Sequence, residues 1–186
     1  MLLFVGLGNP DDQYLANRHN VGFQTIDKIV EANSFPSFIE KHGGLLSSGS
    51  ISDKRILFFK PLSYMNKSGI PVSKIKSFFK INIENIFVIH DELDFKLGKT
   101  RVKTGGGHGG HNGLRSIDSM IGKNYHRVRI GIDKPLIKEM VNSHVLSDFN
   151  KEELPVIENS INLVVNNVQY LVNKQPEMFM TKITTR

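Results

Sequence analysis

The sequence predicts an α/β fold: a single compact domain over residues 1–186, with a central mixed, largely parallel twisted sheet flanked by helices. Three observations predict it. LLFV (2–5), ILFF (56–59) and IFVI (86–89) are short continuous apolar runs, the pattern of strands buried on both faces of a parallel sheet. Between them lie stretches with apolar residues at helical spacing. The chain has 186 residues, 39% of them hydrophobic, which suits one substantial core better than two small ones.

LLFV sits in MLLFVGLGNPDDQ, which is apolar for too few residues, lacks a basic leader and runs into Asn-Pro-Asp-Asp. It reads as a first strand, not as a signal peptide or a membrane span. Phe23, Ile26, Ile29 and Val30 make the first helical stripe, with Asn20 as its N-cap. After ILFF, Val72, Ile75, Phe78 and Phe79 make the second. RVK (101–103) and HRVRIGI (126–132) alternate basic and apolar residues, as half-buried strands do. Arg101 and Lys103 then share one face, and so do Arg127 and Arg129. Between these strands a helix starts near Asn112, with Leu114, Ile117 and Ile121 inward. The longest helix carries Leu154, Ile157, Ile161, Val164, Val165, Val168 and Leu171, and opens with Glu152 and Glu153 where the helix dipole favours acids. These stripes are core, not cofactor sites.

The chain contains no cysteine, which excludes disulfides, thiolate nucleophiles and Cys-containing zinc sites and fits a cytoplasmic location. The formal charge of +6 favours polyanionic partners such as nucleic acid, and equally fits a solubilising surface excess.

In open α/β sheets ligands bind beyond the carboxyl ends of the strands. GLGNP with Asn9 follows the first run, KPLSYMNKSG with Asn66 the second, and HDELD with Asp91 the third, while NRHN puts His19 just before the first helix. Each has a plainer reading. GLGNPD is half of a dinucleotide fingerprint whose third glycine is replaced by Asp11, or an ordinary turn. His19 is a catalyst or a capping residue. Asp91, Glu92 and Asp94 form a solvated acidic loop or a divalent-metal site, without any fixed-spacing metal motif.

GGGHGGHNG (105–113) is six glycines with His108, His111 and Asn112. A phosphate loop needs Lys and Ser or Thr after its last glycine, and this one continues with His111 and Asn112. Two histidines without further ligands at a recognised spacing are a poor metal site, and a linker is out of place between two amphipathic elements. Close approach of backbone to ligand, with Asn112 held at a helix start, explains the composition best.

Taken together, "FVGLGNP..QY...RHNVG", "KPLSYMNKSG", "HDELD..LG..R.K.GGGHGGHNGL.SI" and "HRVRIGID.P" resemble the bacterial peptidyl-tRNA hydrolases, in family order over roughly the first 135 residues. The resemblance implies hydrolysis of the ester joining a peptide to the 3′ end of tRNA, with peptidyl-tRNA as the partner and no metal or organic cofactor. By similarity His19 is the general base that takes a proton from water, and Asp91 orients it. Asn9 matches the position tied to preferring blocked over free aminoacyl-tRNA, and Asn66 and Asn112 match amides that position substrate and water. Tyr14, Tyr64 and Met65 match cleft-lining positions, with ordinary aromatic packing as the plainer reading of both tyrosines. Lys103 and Arg129 match basic positions used against tRNA phosphate, whereas His108 and His111 read as structural. A monomer with no membrane association is expected. Two positions depart from the family pattern: Asp11 stands where glycine is common and Asn17 where threonine is. Plant splicing factors similar to this family bind RNA without needing hydrolysis, so an RNA-binding module is the rival reading. Asn9, His19, Asn66, Asp91 and Asn112 together argue against it.

Overall fold

The computed structural model describes residues 1–184. In chain order the elements are β1 (Leu2–Gly6), α1 (Val21–Ala32), β2 (Ile39–Lys41), β3 (Gly44–Ile51), β4 (Lys54–Pro61), α2 (Gly69–Phe78), β5 (Ile86–Glu92), β6 (Thr100–Thr104), α3 (Asn112–Ile121), β7 (His126–Gly131), α4 (Val141–Val145), α5 (Leu154–Val172) and α6 (Pro176–Thr184). The strands form one sheet in the order β2-β3-β4-β1-β5-β7-β6. The three apolar runs are its parallel centre, with β1 between β4 and β5 and β7 parallel to β5. Antiparallel strands close both sides, β6 against β7 and the β2–β3 hairpin against β4. The mixed, largely parallel sheet expected from sequence is therefore present.

Residues of β1 alternate between two cores, as the pleat requires. Leu2 and Phe4 pack with α1, α5 and α6, whereas Leu3 and Val5 pack with α2 and α3. Both layers are needed to bury strands that are apolar on every residue.

Several expectations are corrected. The β2–β3 hairpin was not anticipated, because IEK and GLLSSGSI have weak strand character; pairing of Gly44–Ile51 along the whole of β4 makes the strand. Phe78 is 61% exposed and Phe79 lies just past the end of α2, the two rings meeting edge to face at 4.9 Å. Leu154 at the start of α5 is exposed, while the other named residues of that stripe are buried. β7 is not half-buried: it lies between β5 and β6, and Arg127 is 0% exposed. Asn20 makes no capping hydrogen bond to α1, its side chain being used elsewhere. Among the described residues, no helix is long and apolar enough to cross a membrane.

Candidate active site

Because β1, β4 and β5 run parallel, their carboxyl ends deliver Asn9, the Met65–Lys67 turn and Asp91 to one edge of the sheet. A single turn of 3-10 helix, Arg18–Asn20, leads into α1 at the same edge. Glycine permits this approach. A Cβ on Gly22 would lie 2.5 Å from Leu7 N and 2.7 Å from Leu7 O, so the first turn of α1 rests directly on the backbone beyond β1.

That contact brings His19 to Asp91. The Nδ1–H of His19 donates to the carboxylate, 2.9 Å from each of Oδ1 and Oδ2, with both residues buried. Nε2 makes no hydrogen bond among the described residues, and the ring lines a cleft of about 360 Å³. Burial pulls the His19 pKa down, but the charge and hydrogen bond of Asp91 more than offset it, and the net direction is upward from 6.5. Burial opposes ionisation of Asp91 too; the facing imidazoles of His19 and His111 overcome it and hold its carboxyl well below the usual range.

His111 is the site residue that sequence reasoning undervalued. Its Nδ1 accepts from the backbone N–H of Gly113 and Leu114, capping α3, while its Nε2 lies 2.9 Å from Asp91 Oδ1. An imidazole nitrogen that accepts two N–H bonds carries no proton, so the proton is on Nε2 and donates to Asp91. The donor atoms of His19, Asp91 and His111 lie within 4.8 Å of one another, as in a metal triad. That tautomer does not fit one, because the nitrogen that would face the ion holds the proton. His90 also approaches Asp91, donating from Nδ1 to its backbone carbonyl at 2.7 Å. Burial and the neighbouring His111 bring the His90 pKa down to about 3, so its ring is neutral.

Asn9 is held on both sides. Its Oδ1 accepts from Met65 N–H at 2.9 Å, and its backbone N–H and C=O pair with the amide of Asn20, each at 2.9 Å. Asn20 thus joins β1 to α1, a role its helix-start position concealed. Met65 is buried beneath α3, where a Cβ on Gly113 would come 2.5 Å from its Sδ. Asn66 and Asn112 line a groove of about 460 Å³ with Arg115, Ser116 and Ser119, and Asn112 lines the His19 cleft as well. Tyr14 is half-buried and Tyr64 is 55% exposed; neither is among the residues lining the cleft or the groove. Asp11 accepts from the Tyr64 phenol and raises its pKa, so the departure at position 11 has a partner.

The glycine-rich loop earns its composition at four positions: Gly105, Gly106, Gly109 and Gly110 all have positive φ. Its residues from His108 to Asn112 line the cleft together with Leu93 and residues between Lys134 and Val145. His108 Nδ1 accepts from Gly110 N–H at 3.0 Å, and its ring also lines the cleft. Beside the loop, Lys103 and Arg129 line a second pocket of about 160 Å³ with Glu92 and Asp94. The basic residues that looked equivalent in sequence are not: Arg127 is fully buried, and Arg129 stacks over Phe95 at 4.6 Å. Burial and the neighbouring arginines lower the Lys103 pKa.

Asn17, the second departure, donates to Asp148 Oδ1 at 2.6 Å. Next to it Arg18 forks onto Glu153 at 3.1 and 2.7 Å and bonds Ser147 Oγ at 3.1 Å. The turn that bears His19 is therefore tied to the segment before α5.

A family model described as peptidyl-tRNA hydrolase matches residues 3–186. A peptidyl-tRNA hydrolase of Bradyrhizobium sp. (strain ORS 278) is 45% identical over 183 residues, covering 98% of this chain and 91% of that protein. One from Rhodopseudomonas palustris (strain BisA53) is 44% identical with the same coverage. The crystal structure of peptidyl-tRNA hydrolase from Acinetobacter baumannii superposes with a TM-score of 0.95 at 39% identity, covering 100% of this chain and 95% of that one.

Proposed function

The chain belongs to the peptidyl-tRNA hydrolase family, and on that premise we propose that its cleft hydrolyses the peptidyl ester by direct attack of water, with His19 as general base. The hydrolase activity itself, on the ester between peptide and tRNA, follows from the family; the roles of individual residues are our reading. The observation that carries it is the orientation of His19. Asp91 takes its Nδ1–H, which leaves Nε2 on the cleft side without a partner among the described residues.

In this mechanism Nε2 removes a proton from water as it attacks the ester carbonyl, and Asp91 stabilises the imidazolium that forms. The same proton then passes to the departing 3′ oxygen of tRNA. A positioned base contributes about 10² to 10⁴ in rate. Asn66 and Asn112 hold the substrate and the developing oxyanion, each such donor being worth about 10² to 10³. Asn9, locked against Met65 and Asn20, contacts the acylated amine and favours blocked substrates. By family resemblance we assign Tyr14, Tyr64 and Met65 to the surroundings of the bound substrate, although none of them lines the cleft or the groove, and Lys103 and Arg129 to tRNA phosphate. We place the protein in the cytoplasm as a monomeric single-domain enzyme that needs no metal.

The test is release of N-acetyl-amino acid from N-acetyl-aminoacyl-tRNA in the presence of EDTA, with unblocked aminoacyl-tRNA as control and His19→Ala as the variant. Release confined to the blocked substrate and lost in His19→Ala supports the reading. Tight tRNA binding without release would make the chain an RNA-binding module, and near-normal release by His19→Ala would remove the general-base assignment.

A further inference from the structure

Arg127 is the largest fully buried side chain of the described residues, and it is charged. Its Nη1 donates to Gly107 O at 2.7 Å and its Nη2 to Gly106 O at 2.9 Å and to Asp118 Oδ1 at 3.0 Å. The guanidinium lies 4.8 Å from the centroid of the Tyr125 ring, whose hydroxyl donates to the same Asp118 oxygen at 2.7 Å. One side chain from β7 thus grips both ends of the frame around Asn112: the start of the glycine-rich loop and the body of α3.

We infer that Arg127 is a positioning residue for the hydrolysis proposed above: by holding Gly106, Gly107 and Asp118 it sets the glycine-rich loop and α3, and so places His111 and Asn112 beside Asp91 and His19. The inference rests on that reading of the cleft. The linkage is continuous, since α3 is capped by His111, His111 donates to Asp91, and Asp91 holds His19. Four glycines with positive φ give the loop little rigidity of its own, so it needs an external anchor. A fork of N–H donors on two successive carbonyls supplies one in a geometry that a lysine lacks.

Stability alone does not account for the cluster. Buried ion pairs are often no better for stability than apolar packing of the same volume. This one also leaves Arg127 Nε and Asp118 Oδ2 without hydrogen bonds among the described residues, a cost that well-packed apolar side chains would avoid. What the cluster provides is a direction for the loop. Alternation along β7 suggests instead a phosphate contact equivalent to Arg129, but a guanidinium with no exposed surface and two carbonyls already in its grasp is not available to tRNA.

Arg127→Met and Arg127→Lys separate these roles. With saturating N-acetyl-aminoacyl-tRNA, kcat is expected to fall about 10- to 100-fold in Arg127→Met, while tRNA affinity and its dependence on salt stay as in the wild type. Arg127→Lys, which keeps the charge and guards against a misfolded Met variant, must show the same split. Hydrogen exchange of loop amides 105–113 should quicken in both, a readout that does not depend on turnover. Wild-type kcat and unchanged loop exchange in folded variants, with only Tm reduced, would overturn the inference. So would intact kcat with weaker, less salt-sensitive binding, the signature of a phosphate contact. An inactive wild type would instead overturn the hydrolase reading, with loop exchange still deciding the role of Arg127.

Discussion

Oδ1 of Asp91 lies 2.9 Å from Nε2 of His111, and that same oxygen lies 2.9 Å from Nδ1 of His19. The carboxylate thus serves the proposed base and is itself steered by a residue that caps α3. In His111→Leu the helix loses a cap worth about 1 kcal/mol and Asp91 a hydrogen bond worth about 1.5–3 kcal/mol. We expect a lower Tm, and turnover reduced about tenfold if 1.4 kcal/mol of that loss is felt in the transition state. Turnover in single-ester release equal to wild type would show that His19 and Asp91 hold their geometry unaided.

The raised pKa of His19 sets the direction of the pH profile. A general base works in its neutral form, so kcat/KM should climb as pH rises through an inflection above 6.5, the ordinary histidine value. Asp91→Asn removes the charge that lifts the pKa and leaves the burial that lowers it. The inflection then moves down, even as the rate falls. An inflection that stays in place would mean that the titrating group is not His19.

Arg18 and Glu153 form a bidentate pair with side chains only 8% and 19% exposed, and the Arg18 guanidinium lies 4.9 Å from the Phe149 ring centroid. Arg18→Met should cost about 1–3 kcal/mol, because Glu153 is left poorly solvated and without its countercharge. Burial raises the Glu153 pKa, but hydrogen bonds from Arg18 and the Asn150 N–H take it below 4.5. A depressed carboxylate pKa adds stability above the unfolded value and loses it as pH falls through the folded one. Thermal unfolding across that acidic range should therefore show a steeper loss in the wild type than in Arg18→Met; parallel curves would deny the linkage.

Lys103 shares its pocket with Arg129 and Arg127, and burial together with these cations makes its charge costly to hold. A tRNA phosphate would relieve that repulsion. Lys103→Ala should weaken tRNA binding and reduce the slope of log affinity against log salt by about 1, with kcat little changed. An unaltered slope would place the phosphate elsewhere.

The parallel centre of the sheet was legible because strands buried on both faces need unbroken apolar runs, and LLFV, ILFF and IFVI have them. The β2–β3 hairpin was not, because its strand character comes from pairing with β4 and not from its own residues. Asn20 and His111 show the same limit within the site. Each looked like a local feature, a cap or a loop histidine, and each is defined by a partner 11 or 20 residues away.

By itself the sequence determined the α/β class, the motifs that carry the family and the set of chemical groups available, since apolar periodicity, motif order and side-chain identity are local properties of the chain. Only the tertiary structure decided which group meets which. It turned Arg127 inward to the glycine loop while Arg129 stayed beside Lys103, and it gave Asp91 two imidazoles instead of one. Hydrogen bonds act across about 3 Å of space regardless of separation along the chain, so their pairing is known only once the sheet and its helices have closed.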